Sequence, residues 1–417
     1  VSWQPTAVDL FAGAGGASLG LVQSGFDLRL AVEVEPRYAS THVANLPGKM
    51  LAGDVRKVVD QELLDSTGLH PGELDVLFAG PPCQGFSMIG RRVVWDERNN
   101  LYLEVLRATR ILKPRAVVIE NVPGLLTLDG GSHLAAILAG MNDIGYEASC
   151  AELLAAQYGA PQMRWRLIIV AWRRDLDIPP GFGFPEPSHG GRIGDLLPNV
   201  TIAPADFPAF INTRAAIGDL PVVTAGEEAN EYGGHPQHEF QRLARTRPDG
   251  RLMPPRELRD HYAAALSPQT LARIEYLRPG QDWRDLPFEM LPGSMRRALR
   301  KDHTRRYRRM TWEGVPRTII TRFRDPKTGE YTHPEQHRTI TIREAARIQG
   351  FPDWFAFQGT NTSKYDQVGN AVPVPLTRAV AHEVLACLDG APKSERLSDP
   401  FRRKPHPLIG RHGELAS

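Results

Sequence analysis

The sequence predicts an α/β fold, a sheet domain joined to a second, smaller and irregular domain. Three observations predict it. Residues 1–172 alternate short apolar runs with amphipathic stretches, the texture of successive strand–helix–strand units. Residues 173–337 lose that rhythm and hold 19 of the 35 prolines. Helical periodicity then returns near Thr341 and again near Pro375.

Taken in order, strands are expected at Ala7–Phe11, Leu28–Val34, Val76–Ala79, Ala116–Ile119 and Leu167–Trp172, where apolar residues run together between turn formers. Helices are expected at Ala17–Ser24, Pro36–Asn45, Leu101–Leu112 and Leu134–Ile144. Each strand runs into a turn bearing Gly, Pro, Glu or Cys, and open α/β sheets place ligand-binding groups at such strand ends. Residues 173–337 read as a separate loop-rich domain. Thr341-Ile-Arg-Glu344 is a capping box opening a helix through Gln349, so 338–363 forms a connecting motif. Pro375–Leu388 is a second helix, and 391–417 reads as a loosely held tail.

Composition narrows the class. Of 417 residues, 41% are hydrophobic and 24% charged, as in an ordinary globular chain rather than a disordered one. The 38 glycines and 35 prolines follow no Gly-X-Y period, which excludes collagen and favours loops. The longest apolar runs, such as Leu167–Trp172, fall short of the ~20 residues of a membrane span. The N-terminus lacks the basic-then-apolar layout of a signal peptide. Cys83, Cys150 and Cys387 are odd in number and widely spaced, so neither a disulfide framework nor a zinc cluster is expected, and a cytoplasmic setting is. His333 and His337 stand four apart without a third ligand, and no metal is expected there.

A net charge of +2 argues at first against a polyanionic partner. Its distribution argues for one. Residues 296–309 (RRALRKDHTRRYRR) carry eight Lys and Arg against Asp302 alone, leaving the rest of the chain net negative. Concentrated basicity is how phosphate backbones are held, although a run of charge is usually a solvated face.

Four segments carry chemistry. Asp9-Leu-Phe-Ala-Gly-Ala-Gly-Gly-Ala-Ser-Leu-Gly20 runs from a strand through glycines into a helix, a cradle in which a ligand approaches the backbone. Ser18 stands where a dinucleotide fingerprint wants Gly. This spacing, with Glu33 ending the next strand, suits a nucleoside with free ribose hydroxyls. Asp54 suits an adenine amine or, equally, a helix cap. In Gly80-Pro-Pro-Cys-Gln-Gly-Phe-Ser87, two prolines stiffen a turn that holds Cys83 at a sheet edge. That favours a nucleophile over the small buried hydrophobe a cysteine usually is. Glu120, after Ile119, is placed either to touch a ligand or to pair with an arginine. Arg164 and Arg166 fall on one face by alternation, as a solvated edge or as a clamp for a ring and a phosphate.

Together these residues resemble the cytosine carbon-5 DNA methyltransferases. The matching motifs are DLFAGAGG at 9–16, Glu33–Glu35, Gly53-Asp54, GPPCQGFS at 80–87, Glu120-Asn121-Val122, QMRWR at 162–166, RTITIREAARIQGFPDWF at 338–355 and VGNAVPVPL at 368–376. They cover roughly half the chain, and 173–337 falls where the family keeps its target-recognition region. The resemblance implies a Rossmann-like methyltransferase sheet domain at 1–172 completed by 364–390. It implies S-adenosylmethionine as cofactor, with S-adenosylhomocysteine as product. Phe11 would stack on adenine, and Gly13, Ala14, Gly16 and Pro82 would line the cofactor. Glu33 would hold the ribose and Asp54 the amine, with Asn370 and Val372 closing the site. Cys83 would add to carbon 6 of cytosine, turning a poor nucleophile into an enamine whose carbon 5 takes the methyl group. Glu120 would donate to ring nitrogen 3, a role open to a carboxyl kept protonated by burial. Arg166, supported by Arg164, would stabilise the carbonyl side.

The resemblance also implies double-stranded DNA as partner, because the target base has to be flipped out of the duplex. Residues 84–100, with Ser87, Arg91, Arg92 and Arg98, resemble the loop that closes over DNA. Arg305, Arg306, Arg308 and Arg309 are candidate backbone contacts. Thr318-Ile319 resembles the doublet that anchors the recognition region. A monomer is expected, with a cognate restriction or phage-defence system as a possible companion. Two other readings stand beside this one: a tRNA-directed member of the same family, and a catalytically silent DNA-binding regulator.

Overall fold

The computed structural model describes residues 4–82, 100–176, 178, 183–190, 207–297 and 305–390. The chain divides into two compact units. One holds Val1–Gly159, Trp165–Ala209 and Val372–Ser417; the other holds Ala160–Arg164 and Phe210–Ala371.

The first unit is built on a seven-stranded sheet in the order β3-β2-β1-β4-β5-β7-β6. Its strands are β1 Thr6–Leu10, β2 Asp27–Glu33, β3 Lys49–Ala52, β4 Val76–Ala79, β5 Ala116–Asn121, β6 Tyr146–Leu154 and β7 Trp165–Arg173. Strands β1 to β5 are mutually parallel, while β7 runs antiparallel to both β5 and β6. Unbroken apolar runs such as Val76–Ala79 are what a parallel sheet covered on both faces requires, and both β4 and β5 are wholly buried. Helices α1 Gly16–Gln23, α2 Pro36–Asn45, α3 Asp60–Thr67, α4 Tyr102–Leu112 and α5 Ser132–Asp143 fill the crossovers. The strands that sequence reasoning missed, β3 and β6, are the two edges. Edge strands bury less, and Lys49, Glu147, Ser149 and Glu152 blur the apolar signal there.

The second unit carries α6 Thr213–Ile217, α7 Glu239–Arg245, α8 Pro268–Tyr276, α9 Gly293–Arg297, α10 Ile342–Ile348 and α11 Asn361–Asn370 between long irregular segments. One of its cores gathers Ile274, Leu277, Trp283, Leu286, Leu291, Met295 and Tyr307. Helix α10 has the expected capping box, Thr341 Oγ1 accepting from Glu344 N at 3.0 Å. Its charged residues turn inward. Arg338 makes a fork on Glu344 at 2.7 and 2.8 Å, and Arg347 meets Asp353 at 2.7 Å and also Asp219. The two Arg338 bonds hold the Glu344 carboxyl below its usual range against the cost of burial.

The chain rejoins the first unit at Val372 and forms α12 Val374–Leu388. A side chain at Gly20 would meet Thr377 Cβ at 2.7 Å, so α1 and α12 pack at a distance only glycine permits. Although Asn361–Leu388 together have the length and hydropathy of a membrane span, the helix breaks at Ala371–Pro373, and α12 is largely buried.

Unit boundaries fall at Ala209 and Val372 rather than at 172 and 364, and residues 338–363 lie within the second unit. The physical reason is local. Among the described residues past Trp172, Phe184 is buried, and Ser188 N and His189 N donate to Gln157 O of the first unit at 2.8 and 3.0 Å.

Candidate active site at the carboxyl ends of the sheet

Strand register assembles the site. Val32 of β2 pairs with Leu10 of β1, Leu10 with Ala79 of β4, and Ala79 with Ile119 of β5. The next residues on each strand, Glu33, Phe11, Gly80 and Glu120, therefore stand in one row across four neighbouring strands. At about 4.8 Å per strand the row spans about 14 Å. It straddles the point between β1 and β4 where the chain reverses its direction across the sheet, the place where α/β sheets bind ligands.

Phe11 leaves β1 with φ 62°, a left-handed conformation costly for an aromatic residue, and its ring is only partly buried. Gly13 follows with φ 57° and open space where a Cβ would stand. Its N–H donates to Glu33 Oε2 at 2.8 Å, while Glu35 N donates to Oε1 at 2.8 Å. Burial raises the Glu33 carboxyl above its usual range, and these N–H groups oppose the rise. Ala14 is buried and Gly16 begins α1. Asp54 caps a short helical turn and forks onto Arg56 at 3.0 and 2.6 Å, which lowers its pKa. The helix-cap reading of Asp54 is thus realised, with its carboxylate at the surface. Val372 is half-buried in the first unit, and Asn370 is the exposed last residue of α11 in the second.

Beneath the glycine turn lies a buried chain that sequence reasoning missed. Ser18 Oγ donates to Asp9 Oδ2 at 2.5 Å, and His42 Nε2 lies 2.9 Å from Ser18 Oγ. Burial pushes Asp9 up to about 7 and His42 down to about 4. Three separate elements supply these residues, so no local pattern announces them.

Glu120 is the penultimate residue of β5 and forms an ion pair with Arg166, Nε to Oε1 at 2.5 Å, both side chains nearly buried. Its Oε2 lies 3.7 Å from where a Gly80 Cβ would be. Of the two readings of Glu120, pairing with an arginine is therefore present at the ligand-facing strand end. Burial lowers the Arg166 pKa and Glu120 opposes the shift. Arg164 belongs to the second unit, where it donates to Ile319 O at 2.6 Å and Gly369 O at 3.4 Å. The β-strand begins only at Trp165, so the alternation expected to pair the two arginines does not extend to Arg164. Pro82 closes the described part of its turn; Cys83, Ser87, Arg91, Arg92 and Arg98 lie outside the described residues.

Two candidate DNA contacts are corrected in the second unit. Arg309 is 2% exposed and donates to Ile274 O, Leu277 O, His333 O and Gln336 O at 2.6–3.0 Å, so it ties the core together. Ile319 is 1% exposed, its N–H donating to Gln162 Oε1 at 2.8 Å. Thr318 donates its hydroxyl to Met163 O at 3.0 Å. Arg305, Arg306 and Arg308 remain half-buried at the surface. His333 Nδ1 accepts from Gln336 N at 2.9 Å, a structural role, and among the described residues no group of three His, Cys, Asp or Glu could hold a metal.

Comparison with known proteins agrees with this geometry. The family model "C-5 cytosine-specific DNA methylase" matches residues 6–386. The Type II methyltransferase M.AgeI of Thalassovita gelatinovora is 31% identical, covering 90% of this chain and 98% of its own. M1.HphI of Haemophilus parahaemolyticus is 33% identical, over 91% and 86%. Among solved structures, a candidate DNA modification methyltransferase encoded in an E. coli prophage superposes with a TM-score of 0.69 at 23% identity, covering 92% of this chain and 99% of that one, a likeness of fold. With the match running almost end to end and the row of strand ends in place, the chain belongs to the C-5 cytosine-specific DNA methylase family.

Proposed function

We propose that the chain is a DNA (cytosine-5)-methyltransferase that uses Cys83 as nucleophile on a cytosine swung out of duplex DNA. The observation that carries this reading is the Glu120–Arg166 pair, set in the same row of strand ends as the glycine turn and the Pro81-Pro82 turn leading to Cys83. The residues present fit S-adenosylmethionine: Gly13 is open where a Cβ would stand, Phe11 offers a strained, partly exposed ring, and Glu33 offers carboxylate oxygens to a ribose. When bound, that cofactor supplies a methyl group on a sulfonium. Ala14, Gly16, Asp54, Pro82, Asn370 and Val372 are assigned to it by motif. On the protein side, Cys83 as thiolate adds to carbon 6 of the base as the carbon 5–carbon 6 π bond opens, and Glu120, carrying a proton, donates to ring nitrogen 3 as negative charge builds there. Once carbon 5 is substituted, loss of its proton restores the double bond and expels the thiolate. Arg166 holds Glu120 in place and faces the carbonyl side of the ring. Ser87, Arg91, Arg92 and Arg98 are proposed to meet DNA, together with Arg305, Arg306 and Arg308.

Tritiated methyl groups offered with duplex DNA or with tRNA test the reading: label is expected in DNA, and label in tRNA alone would overturn it. Cys83→Ala is expected to abolish turnover while DNA binding persists, and ordinary rates in that variant would remove Cys83 from its role. Covalent capture on 5-fluorocytosine DNA separates an enzyme from a silent binder. A cytoplasmic monomer, working beside a restriction or phage-defence partner, is the setting we propose.

A further inference from the structure

The turn Arg305–Arg308 is not a loose stretch of charge. Arg308 N donates to Arg305 O at 3.2 Å, and Tyr307 N donates to Pro326 O at 2.6 Å. Tyr307 is left-handed, φ 57°, with its ring fully buried in the core. A bulky residue holds such a backbone only where its surroundings over-determine it. The consequence is a sorting of side chains: Tyr307 and Arg309 point inward, while Arg305 and Arg308 stay at the surface. There they meet Glu330, Arg305 Nη1 at 3.5 Å and Arg308 Nε at 3.2 Å from Oε2, and Arg317 Nε approaches the same oxygen at 3.9 Å. Each of the three guanidinium side chains is 24–25% exposed and Glu330 is 13% exposed. The neighbouring Asp282, 3.7 Å from Arg308, is itself paired with Arg284 at 2.5 Å. Four arginines thus share two carboxylates among the described residues, a surplus of two positive charges partly withdrawn from water.

We propose that Arg305, Arg308 and Arg317, gathered on Glu330, form a preorganised site for one phosphodiester group of the DNA backbone, with Glu330 as the positioning residue. The inference rests on the methyltransferase reading above and deepens it, since Arg317 and Glu330 were not among the expected contacts. Glu330 Oε2 approaches each guanidinium through one nitrogen, and Arg308 reaches Asp282 through a second, which leaves N–H donors on each of the kind that match phosphate oxygens. Burial and mutual repulsion push Arg317 down to about 10, as expected of a cation cluster short of negative partners.

The test turns on sign. Affinity of the full chain for two short duplexes of unrelated sequence is measured over a KCl series. Arg317→Ala is expected to weaken both about tenfold and to reduce the salt slope by about 0.9. Glu330→Gln makes the chain more positive, so a merely solvated basic face would bind DNA more tightly; the preorganised site predicts weaker binding to both duplexes. Tighter or unchanged binding by Glu330→Gln overturns the proposal, and so does a loss in Arg317→Ala confined to one sequence, which would mean base reading. If Glu330→Gln does not fold, Arg305→Ala and Arg317→Ala decide, and unchanged slopes in both overturn it. A wild-type chain that methylates no DNA would instead sink the underlying reading.

Discussion

The Asp9–Ser18–His42 chain titrates from its two ends in opposite senses. Asp9 is 1% exposed, and burial carries its pKa from 3.8 to about 7. A raised folded value means stability that is complete below the unfolded pKa and lost as pH rises through about 7. His42 moves from 6.5 to about 4, so its contribution is complete above 6.5 and lost as pH falls through about 4. Between those limits each group changes stability by about 1.4 kcal/mol per pH unit, with opposite sign. In the wild type the two slopes cancel, because folding in effect moves a proton from His42 to Asp9. Asp9→Asn keeps an acceptor for Ser18 and unmasks His42. Relative to wild type, its stability is expected to rise with pH between about 4 and 7, by about 4 kcal/mol in all. His42→Gln is expected to show the reverse slope. Denaturant unfolding at steps of pH, followed by circular dichroism, measures both, and the difference from wild type cancels every other titrating group. If neither difference depends on pH, water reaches Asp9 and the buried-chain account is wrong.

Glu120→Gln leaves the Arg166 guanidinium buried without its counter-charge, and should cost about 3–5 kcal/mol of stability along with methyl transfer. Adding Arg166→Gln should recover much of that stability and none of the activity, which thermal melting and a transfer assay together decide. Arg309→Gln should destabilise the second unit by about 3 kcal/mol or more while leaving the salt slope of DNA binding unchanged; a reduced slope would return Arg309 to the interface.

Much of this was legible because the informative residues lie on central strands. Val76–Ala79 and Ala116–Ile119 are buried on both faces, so their apolar runs mark strands plainly, and the turns that follow them hold the chemistry. The edges β3 and β6 were illegible for the converse reason, and α3 and α11 are polar helices whose amphipathic signal is weak. Glu120 was placed at a strand end by sequence, but its partner could not be chosen between arginines until the start of β7 at Trp165 separated Arg166 from Arg164. The Asp9 chain and Glu330 depend on residues remote in sequence, and period or spacing carries no trace of such meetings.

Arginines in this chain divide by how completely their donors are engaged, and that division bears on function. Arg309 spends its guanidinium on four backbone carbonyls within 3.0 Å, and Arg347 spends its own on Asp353 and Asp219. Cations satisfied in this way have nothing left for a ligand and fix the fold around them. Among the described residues Arg166 makes one ion pair and one bond to the neighbouring Trp165 O, and Arg317 approaches Glu330 at 3.9 Å. Neighbours in one charged run, Arg308 and Arg309, fall on opposite sides of this divide because of a single left-handed residue, Tyr307, set before them. Counting charge along the sequence cannot separate them; counting engaged donors can, and it is the under-engaged arginines that lie at the strand ends in one unit and around Glu330 in the other.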